Sequence, residues 1–190
     1  MRFNKSFKLL FLVSLFTFAN TASASFLVEP YLGYQLGSGD RGTTDFSYNA
    51  PTYGARVGYQ MLGFMGGIDY SLSSFDLESE NTVTNAKSES AFKKNQLGVF
   101  AGYDFPILLR AWATYYVSAK LENDVATPTE YSGGGYALGV GFSGLPFVSL
   151  NVEYKTFSYD EAQVGSITSS VNPSLDFNEI VLSVSLPLNL

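Results

Sequence analysis

The chain has 190 residues, 46% of them hydrophobic, with 17 acids, 11 bases and a formal net charge of −6. It contains neither Cys nor His, which excludes disulfides and thiolate metal sites and removes the usual general base, the commonest metal ligand and every Ser–His pair. The acidic balance also argues against nucleic acid as a partner, because phosphate binding needs a basic patch.

Residues 1–24 read as a cleaved secretory signal. Arg2, Lys5 and Lys8 form a basic start, Leu9 to Phe18 an apolar run, and Ala22-Ser23-Ala24 a small-residue cleavage motif. The run is too short for the ~20 residues of a membrane-spanning helix, and no later stretch is continuously apolar enough to supply one. With no Cys near the cut, a lipid anchor is excluded. The expected mature chain, residues 25–190, is one domain with eight bases against 17 acids and a net charge of −9.

From Val28 to Leu190 the dominant pattern is alternation, the period-two signature of β-strands. Eight segments follow in chain order, near 26–37, 51–61, 64–73, 95–105, 109–121, 133–143, 147–157 and 177–190. Each is close to the ~9–11 residues of a tilted membrane strand. The first puts Val28, Pro30, Leu32, Tyr34 and Leu36 on one face, and the last does the same with Ile180, Leu182, Val184, Leu186, Leu188 and Leu190. The opposite face is small, carrying among others Gly33, Gly54, Gly58, Gly67, Gly98, Gly102, Gly135, Gly139 and Gly141. A glycine-rich, charge-poor face makes a poor soluble exterior but suits the crowded bore of a narrow barrel with lipid outside. A soluble ligand-binding barrel, apolar inward, is the weaker reading. Tyr34, Tyr59, Tyr103 and Tyr154 fit an interfacial girdle.

Connections alternate in length. Leu62-Gly63, Pro106 to Leu108 and Gly144 to Pro146 are short, whereas polar stretches of about a dozen to twenty residues follow strands one, three, five and seven. The expected architecture is all-β: an eight-stranded antiparallel transmembrane β-barrel with short periplasmic turns and long extracellular loops.

Parity assigns Glu29, Asp69, Asp104 and Glu153 to the bore, together with Arg56, Arg110, Lys120 and Lys155. Four negatives meet four positives. If Leu62-Gly63 is a two-residue turn, Arg56 stands opposite Asp69; if Pro106 to Leu108 is a three-residue turn, Asp104 faces Arg110 and Gly102 faces Trp112. A charged constriction would select ions. Balanced charge and bulky Trp112 and Tyr116 favour instead a salt-bridged plug, since eight strands leave a bore just wide enough for side chains to fill.

No motif carries catalysis. Gly139-Val-Gly141-Phe-Ser-Gly144 fits a dinucleotide pattern, but Leu145-Pro146 and another strand follow it instead of a helix. Gly63 to Gly67 has helix-dimer spacing inside a period-two segment. Asp76, Glu78 and Glu80 lack a calcium-loop pattern. Lys93-Lys94, at the expected membrane edge, invites contact with anionic lipopolysaccharide. No catalytic, cofactor-binding or metal-binding residue is assigned.

The segments Val28-Glu-Pro-Tyr-Leu-Gly-Tyr34, Gly135-Tyr-Ala-Leu-Gly-Val-Gly-Phe142 and Leu150-Asn-Val-Glu-Tyr154, with the alternating final strand, resemble the small eight-stranded outer-membrane barrels of the OmpA/OmpX and opacity-protein type. The resemblance covers the expected mature chain. It implies a bacterial outer-membrane location, surroundings of lipid and lipopolysaccharide, and insertion by the barrel-assembly machinery. That machinery usually reads a terminal aromatic residue, where this chain ends in Leu190. No peptidoglycan-binding domain follows the barrel, so no cell-wall tether is expected. The lipid-modifying enzymes built on such barrels rely on a His, which this chain lacks. The expected function is that of a monomeric envelope component, structural or engaged in surface recognition or adhesion through acidic loops toward an unidentified ligand. A narrow channel for small solutes is the alternative.

Overall fold

The computed structural model describes residues 24–123, 125 and 128–190. The expected signal, apart from Ala24, lies outside the described residues. Strands β1 (Ser25–Arg41), β2 (Thr44–Met61), β3 (Phe64–Asn81), β4 (Lys87–Phe105), β5 (Leu109–Asn123), β6 (Thr129–Phe142), β7 (Ser149–Val164) and β8 (Ile167–Ser185) pair antiparallel with their neighbours in chain order. Pairing of β8 with β1 closes the sheet into an eight-stranded barrel. A two-residue strand β9 (Leu188–Asn189) continues β8 along β1 after a break at Leu186-Pro187. Proline has no N–H to give the ladder, so pairing lapses there and resumes two residues later.

At the end bearing Ser25 and Leu190 the connections are 62–63, 106–108 and 143–148, the last longer than the expected turn Gly144 to Pro146. Leu62 and Gly63 both adopt positive φ, 54° and 83°, as a two-residue hairpin turn of the primed type requires. Met61 therefore faces Phe64, and the register runs on to Arg56 opposite Asp69.

The far end differs from a barrel with long loops. Most of the polar stretches are strand: β3 and β4 stay paired to Glu80↔Lys87, and β1 and β2 to Arg41↔Thr44. The segments left between strands there are 42–43, 82–86, 124–128 and 165–166. Serines, threonines and acids that read as loop by composition are held in register by hairpin pairing. The barrel thus extends into a paired crown.

Polarity inverts where barrel becomes crown. Along β3 the outward residues are Phe64, Gly66, Ile68, Tyr70 and Leu72, and then Ser74, Asp76, Glu78 and Glu80. Along β7 they are Leu150, Val152 and Tyr154, and then Thr156, Ser158 and Asp160. Every strand makes this change at about the same height. Its upper edge is marked by Tyr34, Tyr53, Tyr70, Tyr115, Tyr136 and Tyr154, each 43–62% exposed. Two of these hydroxyls reach asparagines beyond the apolar belt, Tyr34 to Asn49 at 2.7 Å and Tyr154 to Asn178 at 2.8 Å.

Inside, the order is reversed. Under the belt the bore is largely polar and charged, whereas the crown holds the apolar core of Tyr48, Phe75, Leu77, Phe157, Tyr159, Leu175 and Phe177. A smaller cluster of Leu27, Met65, Phe100 and Trp112 fills the turn end. Glycine makes room for the large rings. A Cβ on Gly139 would lie 2.2 Å from Trp112, and one on Gly37 2.2 Å from Tyr48.

Candidate functional site

The bore beneath the crown is the chemically dense region. Among the described residues its buried ions are Glu29, Asp69, Glu153 and Glu179 against Arg56, Lys94, Arg110 and Lys155. They come from seven of the eight strands, each on the inward parity of its strand. Four charges of each sign leave the interior neutral, which low-dielectric burial demands.

Arg56 is the hub. Its guanidinium pairs with Glu153, lies 3.3 Å from Asp69 through Nε and 3.6 Å from Glu29 through Nη1. The plane also faces Trp112 at 4.4 Å and Tyr31 at 5.0 Å, a cation–π arrangement suited to a desolvated arginine. Arg110 forks onto both oxygens of Glu29 with bonds of 2.7 Å, and Ser185 donates a third at 2.6 Å. Tyr31 donates to Asp69 at 2.8 Å.

Lys155 continues the chain of ions toward the crown. Its Nζ lies 3.7 Å from Glu153, and the register sets it opposite Glu179 across β7 and β8. Glu179 is paired with Lys94 at 2.6 Å and accepts a short hydrogen bond from Tyr48. Lys94 also donates to Gln35 at 3.1 Å. Charges of alternating sign therefore run up the bore as Arg110, Glu29, Arg56, Asp69 with Glu153, Lys155, Glu179 and Lys94. This is a ladder of fixed ions, and among the described residues no nucleophile is set against a base.

Two of the eight residues expected in the bore stand elsewhere. Lys120 is on the outer face, its side chain 43% exposed and bridged to Glu130 at 2.8 Å. The cause is a β-bulge: Leu97 pairs with Ser118 and Gly98 with Tyr116, so one extra residue of β5 flips parity beyond it. Ala119 and Leu121 then point inward and Lys120 outward. Asp104 faces Arg110 in register but is only half-buried, at the rim, where it accepts from Gln60 at 3.4 Å. Arg110 turns to Glu29 instead, because that carboxylate lies deeper and matches its fork.

Lys94 and Glu179 are bore ions outside the expected set, although parity points to both. Lys94 shares the inward face with Gln96, Gly98 and Phe100, and Glu179 with Val181, Ser183 and Ser185. The expected surface pair Lys93-Lys94 divides between the two faces: Lys93 is exposed, and Lys94 is buried.

No protein-family model matches the chain, and comparison with curated proteins gives no match. Solved structures do match. Neisserial surface protein A is 19% identical, with a TM-score of 0.54, covering 86% of this chain and 98% of its own. The fold is that of the small eight-stranded outer-membrane barrels. Ail, the attachment invasion locus protein of Yersinia pestis, solved with the heparin analogue sucrose octasulfate, is 10% identical with a TM-score of 0.56. That match covers 86% of this chain and 99% of Ail.

Proposed function

We propose that this chain is a monomeric protein of the bacterial outer membrane, exported through a cleaved signal, whose closed barrel anchors an acidic crown for surface recognition or adhesion. The observation that carries the reading is the inversion of polarity at the tyrosine girdle. Below it apolar side chains face out and ions face in, as a lipid-embedded barrel requires. Above it the outer face is polar and the interior apolar, as water requires. Lipid and lipopolysaccharide would surround the belt, and the barrel-assembly machinery would insert it.

The crown has the character of a recognition surface. Beyond the girdle the described residues include eleven acids, among them Asp40, Asp45, Asp76, Glu78, Glu89 and Asp160, and four bases, Arg41, Lys87, Lys93 and Lys120. That balance favours a cationic partner over the sulfated polyanion seen with Ail. The filled bore favours a scaffold over a channel, and the lack of a nucleophile–base arrangement among the described residues favours binding over catalysis.

Brominated lipid tests the embedding. A tryptophan placed at Leu138 should be quenched in brominated vesicles and one at Ser158 should not; equal quenching would count against the girdle as the membrane boundary. Binding is tested by adding the barrel in lipid nanodiscs to immobilised cationic and sulfated glycans. Salt-sensitive retention on the cationic matrix is expected, and retention on the sulfated one alone would overturn the charge argument.

A further inference from the structure

The bore is lined by two unlike zones, fixed ions below and packed aromatic rings above. We propose that passage through the barrel is blocked above the girdle, by the aromatic layer of Tyr48, Phe75, Phe157, Tyr159 and Phe177, while the ion ladder beneath it sets the fold. This rests on the membrane reading above and identifies what closes the bore.

The layer joins opposite walls. Tyr48 of β2 stacks on Phe75 of β3 at 4.0 Å and meets Phe177 of β8 edge-on at 5.8 Å. Phe177 meets Tyr159 of β7 at 6.0 Å, and Phe157 of β7 meets Tyr116 of β5 at 5.0 Å. All five rings of the layer are at most 7% exposed. The wall of β1 is cut back to admit them, since Gly37 lies under Tyr48 and Gly39 under Phe177.

The chemistry of the two zones differs in kind. Fixed ions offer a moving ion or water new partners, so a charged ladder tunes passage more than it forbids it. An apolar constriction offers none and excludes water by dewetting. Where the zones meet, the Lys94 ammonium faces the rings of Tyr48, Phe75 and Phe157 at 5.1, 5.7 and 5.9 Å. It holds Glu179 and Tyr48 from below, which fixes the floor of the layer.

The absence of cysteine permits a clean test. A reporter Ser73→Cys, just beneath the layer, is labelled in proteoliposomes with a membrane-impermeant maleimide from the crown side, and conductance is recorded in planar bilayers. Heat-modifiable migration on gels confirms a folded barrel in each variant. The parent and an Arg56→Ala/Glu153→Ala pair, which keeps the bore neutral, should stay silent and unlabelled. Phe157→Ala/Phe177→Ala should show openings and full labelling. A folded ladder variant that conducts with its rings intact would overturn the proposal, and so would a folded ring variant that stays silent and unlabelled. If the ring pair fails to fold, Phe177→Ser replaces it, and the ladder variant alone still decides. Steady openings in the parent would overturn the closed-bore reading and this inference with it.

Discussion

Arg110 passes over Asp104, its cross-strand neighbour, to grip both carboxylate oxygens of Glu29 at 2.7 Å. Glu29 is fully buried and also lies 3.6 Å from Arg56, so two guanidiniums depend on it. Glu29→Ala would strand Arg110 in a water-poor bore and leave Arg56 only Asp69 and Glu153. Breaking one partner of a buried pair costs about 3–5 kcal/mol. The expected result is a loss of that order in urea unfolding from lipid vesicles. The exposed pair Lys87–Glu80, 3.0 Å apart at the crown tip, sets the contrast. Lys87→Ala there should cost no more than about 1 kcal/mol. Equal losses at the two sites would show that the bore is hydrated enough to screen its ions.

The β5 bulge separates Tyr116 from Ala119 in the pairing with β6. Inserting one alanine after Ser118 would exceed the single extra residue that the bulge absorbs. Each residue above it would then reverse face, turning Lys120 and Glu122 into the aromatic interior and Ala119 and Leu121 out to water. The variant should lose its crown packing while the belt still inserts. Protease cleavage confined to the crown, with the heat-modifiable core retained, is the expected readout. Full protection would mean that the bulge simply widens to take up the added residue.

That bulge also marks where sequence reading stops. Strand order, tight-turn register and the inward set Glu29, Arg56, Asp69, Arg110, Glu153 and Lys155 follow from alternation, because parity propagates without error along a regular strand. Lys120 departs from simple alternation because one inserted residue shifts parity without changing composition. The crown has the composition of loop for a related reason. Ser, Asn, Asp and Gly favour turns locally, and only pairing across β3 and β4 makes Ser74 to Asn81 extended. Asp104 keeps its register opposite Arg110 without pairing to it, since register gives the neighbour but not the depth at which an arginine finds its best acceptor.

The girdle tyrosines differ in what their hydroxyls do. Tyr154 donates to Asn178 at 2.8 Å across β7 and β8, linking the top of the belt to the first polar residue beyond it. Tyr154→Phe removes one exposed hydrogen bond and should cost about 0.5–1.5 kcal/mol. Tyr154→Ala also removes the ring from the interface and should cost more. If Phe destabilises as much as Ala, the hydroxyl anchors the strand; if Phe is neutral, the ring does.

Gly139 gives the sharpest packing test. A Cβ there would fall 2.2 Å from Cε2 and 2.4 Å from Cζ2 of Trp112. That indole is 4% exposed and is faced by Arg56 at 4.4 Å and Arg110 at 5.3 Å. It cannot retreat without moving two guanidiniums off their carboxylates. Gly139→Val should therefore exceed the roughly 1–3 kcal/mol usual for overpacking, because ion pairs are broken as well as rings displaced. Pairing it with Trp112→Leu, which frees the space, should recover part of the loss. The double-mutant cycle in urea reads the coupling directly. Strict additivity would mean that Trp112 relaxes independently of the ions and that the ladder does not hold the ring in place.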